Sequence, residues 1–426
     1  MRGIKRMPTL LLALGLGVFL AACGTTPGGS GSGGGGGDSG GGDTSTVSVQ
    51  APGATAAAYR VAGGDWQYPD DPTRFEIALA SPSAVRSLGA DTPYDVVIAC
   101  PGEIGTFQVF SLTPGEVGEL NTACETVGGE DVVFQVSYDA SAVSGTAYVV
   151  LFHKGGLATG LGSSGTVTVD SGGVAGEQDL VLLAVGGSEE PLAARRETVT
   201  VKPGGSYKIT LRADDAANLG QEGPFPPVSH DELAASNWWV FAVTPNGTGV
   251  LAGGKGSPLG SDYLTLAFAS HYAFQASVSD DPANPTESLA HSLTQADPAP
   301  PSNFPEFPAR LSPGVANWPT AFSGLPGGGD LLGLYFELTH ANAGIRVWLS
   351  AGYLGESTDY TLPVPPVEAF EPMAPPSGQP VDYEVTAFHS PLSFAEFYAK
   401  LTSPLGFLSP GLDLRAAWKK GSYTAP

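Results

Sequence analysis

Leu180-Val181-Leu182-Leu183, Thr198-Val199-Thr200-Val201 and Tyr207-Lys208-Ile209-Thr210-Leu211 decide the fold class of this chain. Each run is short, dominated by β-branched or long apolar side chains, and separated from the next by Gly, Pro, Asn or Asp. Such runs suit a pleated surface, and close spacing between turn residues is the mark of an antiparallel sandwich or barrel. Upstream lie Ala147-Tyr148-Val149-Val150-Leu151-Phe152, Thr166-Val167-Thr168-Val169 and Val132-Val133-Phe134-Gln135-Val136. Further out come Phe107-Gln108-Val109-Phe110 and Thr46-Val47-Ser48-Val49. A parallel α/β sheet would need amphipathic helices of roughly 10–15 residues between strands, and the sequence offers none there. The expectation is an all-β chain of tandem antiparallel β-sandwich domains, Ig-like in strand spacing.

Composition shifts place the boundaries. Residues 46–127 read as one sandwich and 130–215 as a second, with a Pro-rich linker over 216–236. From Asn237 to the end, 237–426, aromatics are denser and a larger C-terminal β-domain is expected. Its interior holds an extended, polyproline-like stretch with Pro298, Pro300, Pro301, Pro305 and Pro308. A second proline-rich stretch, 363–380, leaves open whether this domain divides there. One helix is predicted near the C-terminus. Ser393-Phe394-Ala395-Glu396 has the capping-box pattern, and Phe394, Phe397, Tyr398 and Leu401 then share a helical face, with Pro404 as the stop.

The first residues give an address. Arg2, Lys5 and Arg6 precede an apolar run from Thr9 to Leu20, which ends in Leu20-Ala21-Ala22-Cys23. A spanning helix needs about 20 apolar residues; this run is shorter and suits a signal peptide. The pattern resembles the bacterial lipoprotein signal, the lipobox, over residues 1–23 only. That resemblance implies cleavage of the Ala22–Cys23 bond and acylation of Cys23, which becomes the first residue of the mature chain. It also implies a cell-envelope location, outer-membrane if the cell has one, since Gly24 rather than an aspartate follows the cysteine. Twelve of the 22 residues from Gly24 to Ser45 are glycine, so residues 23–45 read as a lipidated cysteine on a disordered tether. A coil of that length reaches roughly 25 Å.

Charge excludes several partners. The chain carries −23, and removal of Arg2, Lys5 and Arg6 with the leader brings it to −26 (−23 minus 3). Nucleic acid is excluded, because binding it needs a basic footprint. With Cys23 assigned to lipid, Cys100 and Cys124 remain, and an oxidising compartment favours a disulfide between them; two separate buried thiols are the alternative.

Motifs that could carry chemistry fail on context. Gly160-Leu161-Gly162-Ser163-Ser164-Gly165 has the dinucleotide-binding spacing, but a strand follows where a helix is required. Gly249 to Gly256 lacks the final Ser/Thr of a phosphate loop. Gly37-Asp38-Ser39-Gly40-Gly41 matches a hydrolase elbow inside a glycine tract. The histidines, His153, His230, His271, His291, His340 and His389, show no zinc spacing. Asp280, Asp281, Asn284 and Glu287 could face a calcium ion, yet Asp-Asp-Pro is also a turn former, and the turn is expected. No metal or cofactor is predicted. In Trp238-Trp239 strand alternation puts the two rings on opposite faces, so one is expected in the core and the other outward as a ligand-stacking candidate. The chain is therefore expected to be a membrane-anchored envelope lipoprotein with a structural or interaction role and no enzymatic activity. The alternatives are a carbohydrate- or peptide-binding module that meets an envelope polysaccharide or protein through aromatics, and an envelope hydrolase with a non-sequential site.

Overall fold

The computed structural model describes residues 46–426 except 79–89, 103–104, 123, 125–131, 155, 172–174, 256–262, 317 and 402–407. The leader, the tether and Cys23 lie outside the described residues, as does Pro404.

The chain is all-β. The first strands are β1 (Thr46–Gln50), β2 (Ala56–Val61), β3 (Arg74–Ala78), β4 (Tyr94–Cys100), β5 (Gly105–Leu112) and β6 (Glu119–Asn121). Next come β7 (Val133–Asp139), β8 (Thr146–His153), β9 (Gly156–Leu161), β10 (Ser164–Asp170), β11 (Gly176–Gly186), β12 (Pro191–Val201) and β13 (Ser206–Thr210). The remainder are β14 (Leu219–Glu222), β15 (Ala235–Thr244), β16 (Gly247–Lys255), β17 (Tyr263–Leu266), β18 (His271–Ser279), β19 (Glu287–Gln295), β20 (Gly314–Ala316), β21 (Ala321–Ser323), β22 (Leu331–His340), β23 (Ala343–Ser350), β24 (Tyr360–Thr361), β25 (Pro380–His389) and β26 (Asp413–Thr424).

One 11-stranded sheet organises the molecule, in the order β16-β15-β18-β19-β26-β25-β22-β23-β5-β4-β2. Every pairing in it is antiparallel except β23 with β5, where the N-terminal strands join the C-terminal ones in parallel, from Ala343↔Gly105 to Leu349↔Ser111. The sheet thus runs across the boundaries expected at 127 and 237: residues 46–127 contribute β2, β4 and β5 to a sheet whose other strands lie beyond residue 234.

Alternation splits this sheet into two buried faces. Val97, Val109, Val347, Phe336, Val385, Leu289, Phe274 and Trp238 face one core. Val96, Ile98, Phe110, Tyr335, Phe388 and Leu414 face another, covered by the small sheet β3-β1-β6 and by the helix Phe394–Leu401. Residues 133–210 form a sandwich of β10-β7-β13 on β12-β11-β8-β9, around a third core. In β11, Leu180 and Leu182 enter that third core while Val181 and Val185 enter the first. Burial on both faces explains why Leu180 to Leu183 is a continuous apolar run rather than an alternating one.

The stretch expected as a linker, 216–236, is instead packed. Phe225, Val228 and Leu233 are all buried, and Phe225 lies 4.8 Å from the Trp238 ring, 5.8 Å from Phe304 and 6.3 Å from Tyr263. Its prolines fix an extended strap across the sheet, and three apolar side chains fasten it. The helix follows its predicted cap: Ser393 N and Oγ donate to Glu396 Oε2 at 2.9 and 2.8 Å, and Glu396 N donates to Ser393 Oγ at 3.3 Å. Phe394 and Phe397 are buried and Tyr398 is half-buried.

Candidate functional site

Cys100 and Cys124 are bridged, with 4.9 Å between their Cα atoms. Cys100 ends β4 inside the second core, and the Cys124 amide donates to Pro52 O at 3.0 Å. The tryptophan pair requires a correction. Trp238 and Trp239 do take opposite faces, but both are buried, at 7% and 6% exposure. Trp238 enters the first core. Trp239 lies under β16, where a Cβ on Gly253 would fall 1.8 Å from its ring. Neither indole is presented to a ligand.

The rejected motifs have structural roles. Gly160 and Gly165 leave room for the Tyr138 ring, and Tyr138 Oη donates to Leu161 O at 2.9 Å; β10 follows, a strand. Of the P-loop-like residues, Gly249 to Lys255 belong to β16, and Gly256 lies outside the described residues. His271 begins β18 and His340 ends β22, each with Nε2 on a backbone carbonyl, Leu408 O at 2.6 Å and Met373 O at 3.1 Å. His153 is deeply buried, which pushes its pKa down to about 4.

The acidic loop is a turn. Asp280 Oδ1 accepts the amides of Asp281, Thr286 and Glu287 at 2.9–3.1 Å, and Asp281 Oδ1 accepts those of Ala283 and Asn284 at 2.7 and 3.1 Å. Against an opposing desolvation effect, the Thr286 hydroxyl and these amides hold the Asp280 carboxyl down at about 2. A depressed carboxyl contributes stability above its unfolded value near 3.8 and loses it as pH falls through about 2. Asp280→Asn should therefore flatten acid unfolding between those two pH values, by less than about 1 kcal/mol because the group is exposed. Circular dichroism across that window measures it, and identical acid profiles would refute the assignment.

Register assembles what spacing conceals. Lys420 pairs with Glu384, Glu384 with Glu337, and Glu337 with Arg346, across β26, β25, β22 and β23. All four are half-buried on the face of the second core. The adjacent row on that face is Trp418, Thr386, Tyr335 and Trp348. Trp418 Nε1 donates to Glu384 Oε2 and Tyr335 Oη to Glu337 Oε2, each at 3.3 Å. Lys420 Nζ lies 5.6 Å over the Trp418 ring, and Tyr335 and Trp348 are 4.6 Å apart. Burial first, and then Glu337, raises the Glu384 carboxyl pKa, against the Trp418 hydrogen bond and Lys420. The Thr386 hydroxyl, 2% exposed, has no hydrogen-bond partner among the described residues. Sequence reasoning missed this site because its members lie on four strands whose order it could not give. A glutamate inside the apolar run Leu331 to Leu338 was the available signal.

The opposite face carries a second row, His291, Arg415 and His389. Its charges are mutually engaged. His291 Nε2 meets Asp413 Oδ1 at 3.0 Å, its Nδ1 accepts the Glu306 amide at 2.8 Å, and Arg415 bonds Glu306 and Asp330 at 3.2 and 2.7 Å. Nearby, buried Glu287 holds Lys419 at 2.9 Å and Arg310, whose guanidinium also reaches Glu232. These pairs clasp the proline-rich segment and the strap onto the sheet, leaving an open cleft of about 520 Å³ lined by Ser229, His230, Asp231, Glu232 and Arg310. No protein-family model and no curated protein matches the chain.

Proposed function

We propose that the protein is exported and held at the cell envelope by lipid on Cys23, where its β-body serves a structural or interaction role. The observation that carries this reading is the leader ending in Leu20-Ala21-Ala22-Cys23, followed at once by the glycine-rich tether. The Cys100–Cys124 bridge supports it independently, because disulfides persist in oxidising compartments. A single acyl chain anchors marginally and two or more hold stably, so a multiply acylated Cys23 would retain the body without help from its surface. The acidic body would be repelled by an anionic bilayer and would stand off it at the length of the tether.

Cys23→Ser should abolish membrane attachment. In detergent phase partitioning the unmodified chain is expected in the detergent phase and the variant in the aqueous phase. Equal recovery of both in detergent would sink the proposal.

A further inference from the structure

We propose that His291 is an acid-released latch: as a neutral ring it holds the proline-rich segment 298–308 on the large sheet, and a proton on Nδ1 lets that segment go. The inference goes beyond envelope anchoring and does not depend on it.

The tautomer is fixed by what surrounds the ring. A backbone N–H can only donate, so Nδ1, which takes the Glu306 amide at 2.8 Å, must carry a lone pair. The single ring proton then sits on Nε2 and is donated to Asp413 Oδ1 at 3.0 Å. A second proton would make both ring nitrogens donors. Nδ1–H and the Glu306 N–H would then point at each other. The imidazole is only 7% exposed, so water does not readily replace the lost bond.

Protonation and docking are thereby linked. Asp413 attracts a proton to the ring, but it lies on β26, the strand paired with β19, and does so whether or not the segment is docked. The Glu306 amide meets the ring only in the docked state. Docking therefore prefers the neutral ring and release the protonated one, so acid favours release. The Glu306 carboxylate also arrives with the segment, but it is bonded to Arg415 and 58% exposed, and its pull on an imidazolium is screened.

The other neighbours leave this balance in place. Arg415, opposite His291 on β26, also bonds Asp330 at 2.7 Å, and on β18 the opposite residue is Ala276. His389, next in the row on β25, faces Asp330 through Nδ1 at 3.2 Å, so a proton there meets a carboxylate and breaks no backbone bond. Hydrogen bonds from His291 and His389 are the first cause that holds the Asp413 and Asp330 carboxyls below the usual range, against desolvation. Both therefore stay ionised where imidazoles titrate. Farther along, Glu287, Lys419, Arg310 and Glu232 bond one another. Phe304 lies 4.7 Å over the imidazole and is 3% exposed, 5.8 Å from Phe225 and 6.2 Å from Phe274. Release turns that ring toward solvent, while the Tyr263 hydroxyl on Pro298 O and the Arg310–Glu287 pair keep the two ends attached.

Hydrogen exchange of the full chain in detergent, resolved at the Glu306 amide and divided by the rate of an unstructured chain at each pH, tests the latch. Protection at Glu306 is expected to fall about tenfold between about pH 7.5 and 5, the imidazole range and the worth of one hydrogen bond. Amides of β22 and β25 should keep theirs. In His291→Gln a side chain with an acceptor and a donor but no titration replaces the ring, and Glu306 protection should no longer depend on pH. Nitrogen NMR of the imidazoles in the unmodified chain keeps the test decisive if that variant does not fold. His291 should be the Nε2–H tautomer at neutral pH and take its second proton over the interval in which Glu306 loses protection. Glu306 protection that does not change with pH would overturn the proposal. So would an equal fall in His291→Gln, an Nδ1–H tautomer at neutral pH, or a parallel loss of protection throughout β22 and β25.

Discussion

Trp238→Ala is expected to lower the unfolding free energy by about 3–5 kcal/mol, the range for a large aromatic removed from a packed core. Its ring is 7% exposed and meets Phe225, which in turn packs on Tyr263, Phe274 and Phe304. The cavity would therefore open where the strap, the proline-rich segment and the large sheet converge. Trp239→Ala should cost less. Its indole Nε1 is buried with no hydrogen-bond partner among the described residues, and removing an unsatisfied donor returns about 1–3 kcal/mol of desolvation cost. Trp239→Phe, which keeps most of the ring and discards the N–H, should be nearly neutral. Urea unfolding of the three variants checks the order. A Trp238→Ala midpoint equal to that of the unmodified chain would refute the burial argument, and a Trp239→Ala loss exceeding that of Trp238→Ala would refute the role of the unpaired indole.

Local features of this fold were legible from the sequence, and partnerships were not. Thr198 to Val201 and Tyr207 to Leu211 announce strands because β-branched spacing is a property of the segment itself. The cap at Ser393 and Glu396 is equally local, and it forms as read. Sheet membership depends on other segments. Nothing within Phe107 to Phe110 states that its neighbour is Ile345 to Trp348, more than two hundred residues away. For the same reason, residues 46–127 read as a self-contained sandwich.

Proline misled in a different way. Gly220 to His230 has the composition of a linker, yet Phe225, between Pro224 and Pro226, and Val228, directly after Pro227, are buried. Extended, proline-stiffened backbone loses little entropy when it docks, so two or three apolar anchors suffice to hold it. Trp238-Trp239 shows the limit of alternation. It gives the faces correctly, but it cannot show that a sheet this wide is covered on both. Glu337 and Glu384 were invisible as a pair because only register sets them opposite each other.

Cys124→Ser, or reduction of the native bridge, should cost about 3–4 kcal/mol on the chain-entropy account for a loop of this length. The sequence separation is 24 residues. Where the loss falls is set by topology. β6 meets β1 in parallel over Ser48↔Glu119, Val49↔Leu120 and Gln50↔Asn121, a short contact in the less stable of the two pairing modes. Just beyond it, Thr122 N donates to Gln50 O at 2.9 Å and Cys124 N to Pro52 O at 3.0 Å. The bridge then ties this chain end to Cys100, the last residue of β4 in the large sheet. It is thus a covalent cross-link, added to the backbone connections, between the small sheet β3-β1-β6 and the sheet whose second core that small sheet covers, where Val47, Val49, Ile77 and Leu120 are fully buried. Breaking it should loosen the layer before the body unfolds. Amide exchange at Leu120 and Asn121 is expected to accelerate on reduction, while exchange in β22 and β25 changes little. Uniform acceleration would show that the bridge stabilises the whole molecule rather than this layer. An unfolding midpoint indifferent to reduction would show that β6 is held by its buried leucine and backbone pairing alone.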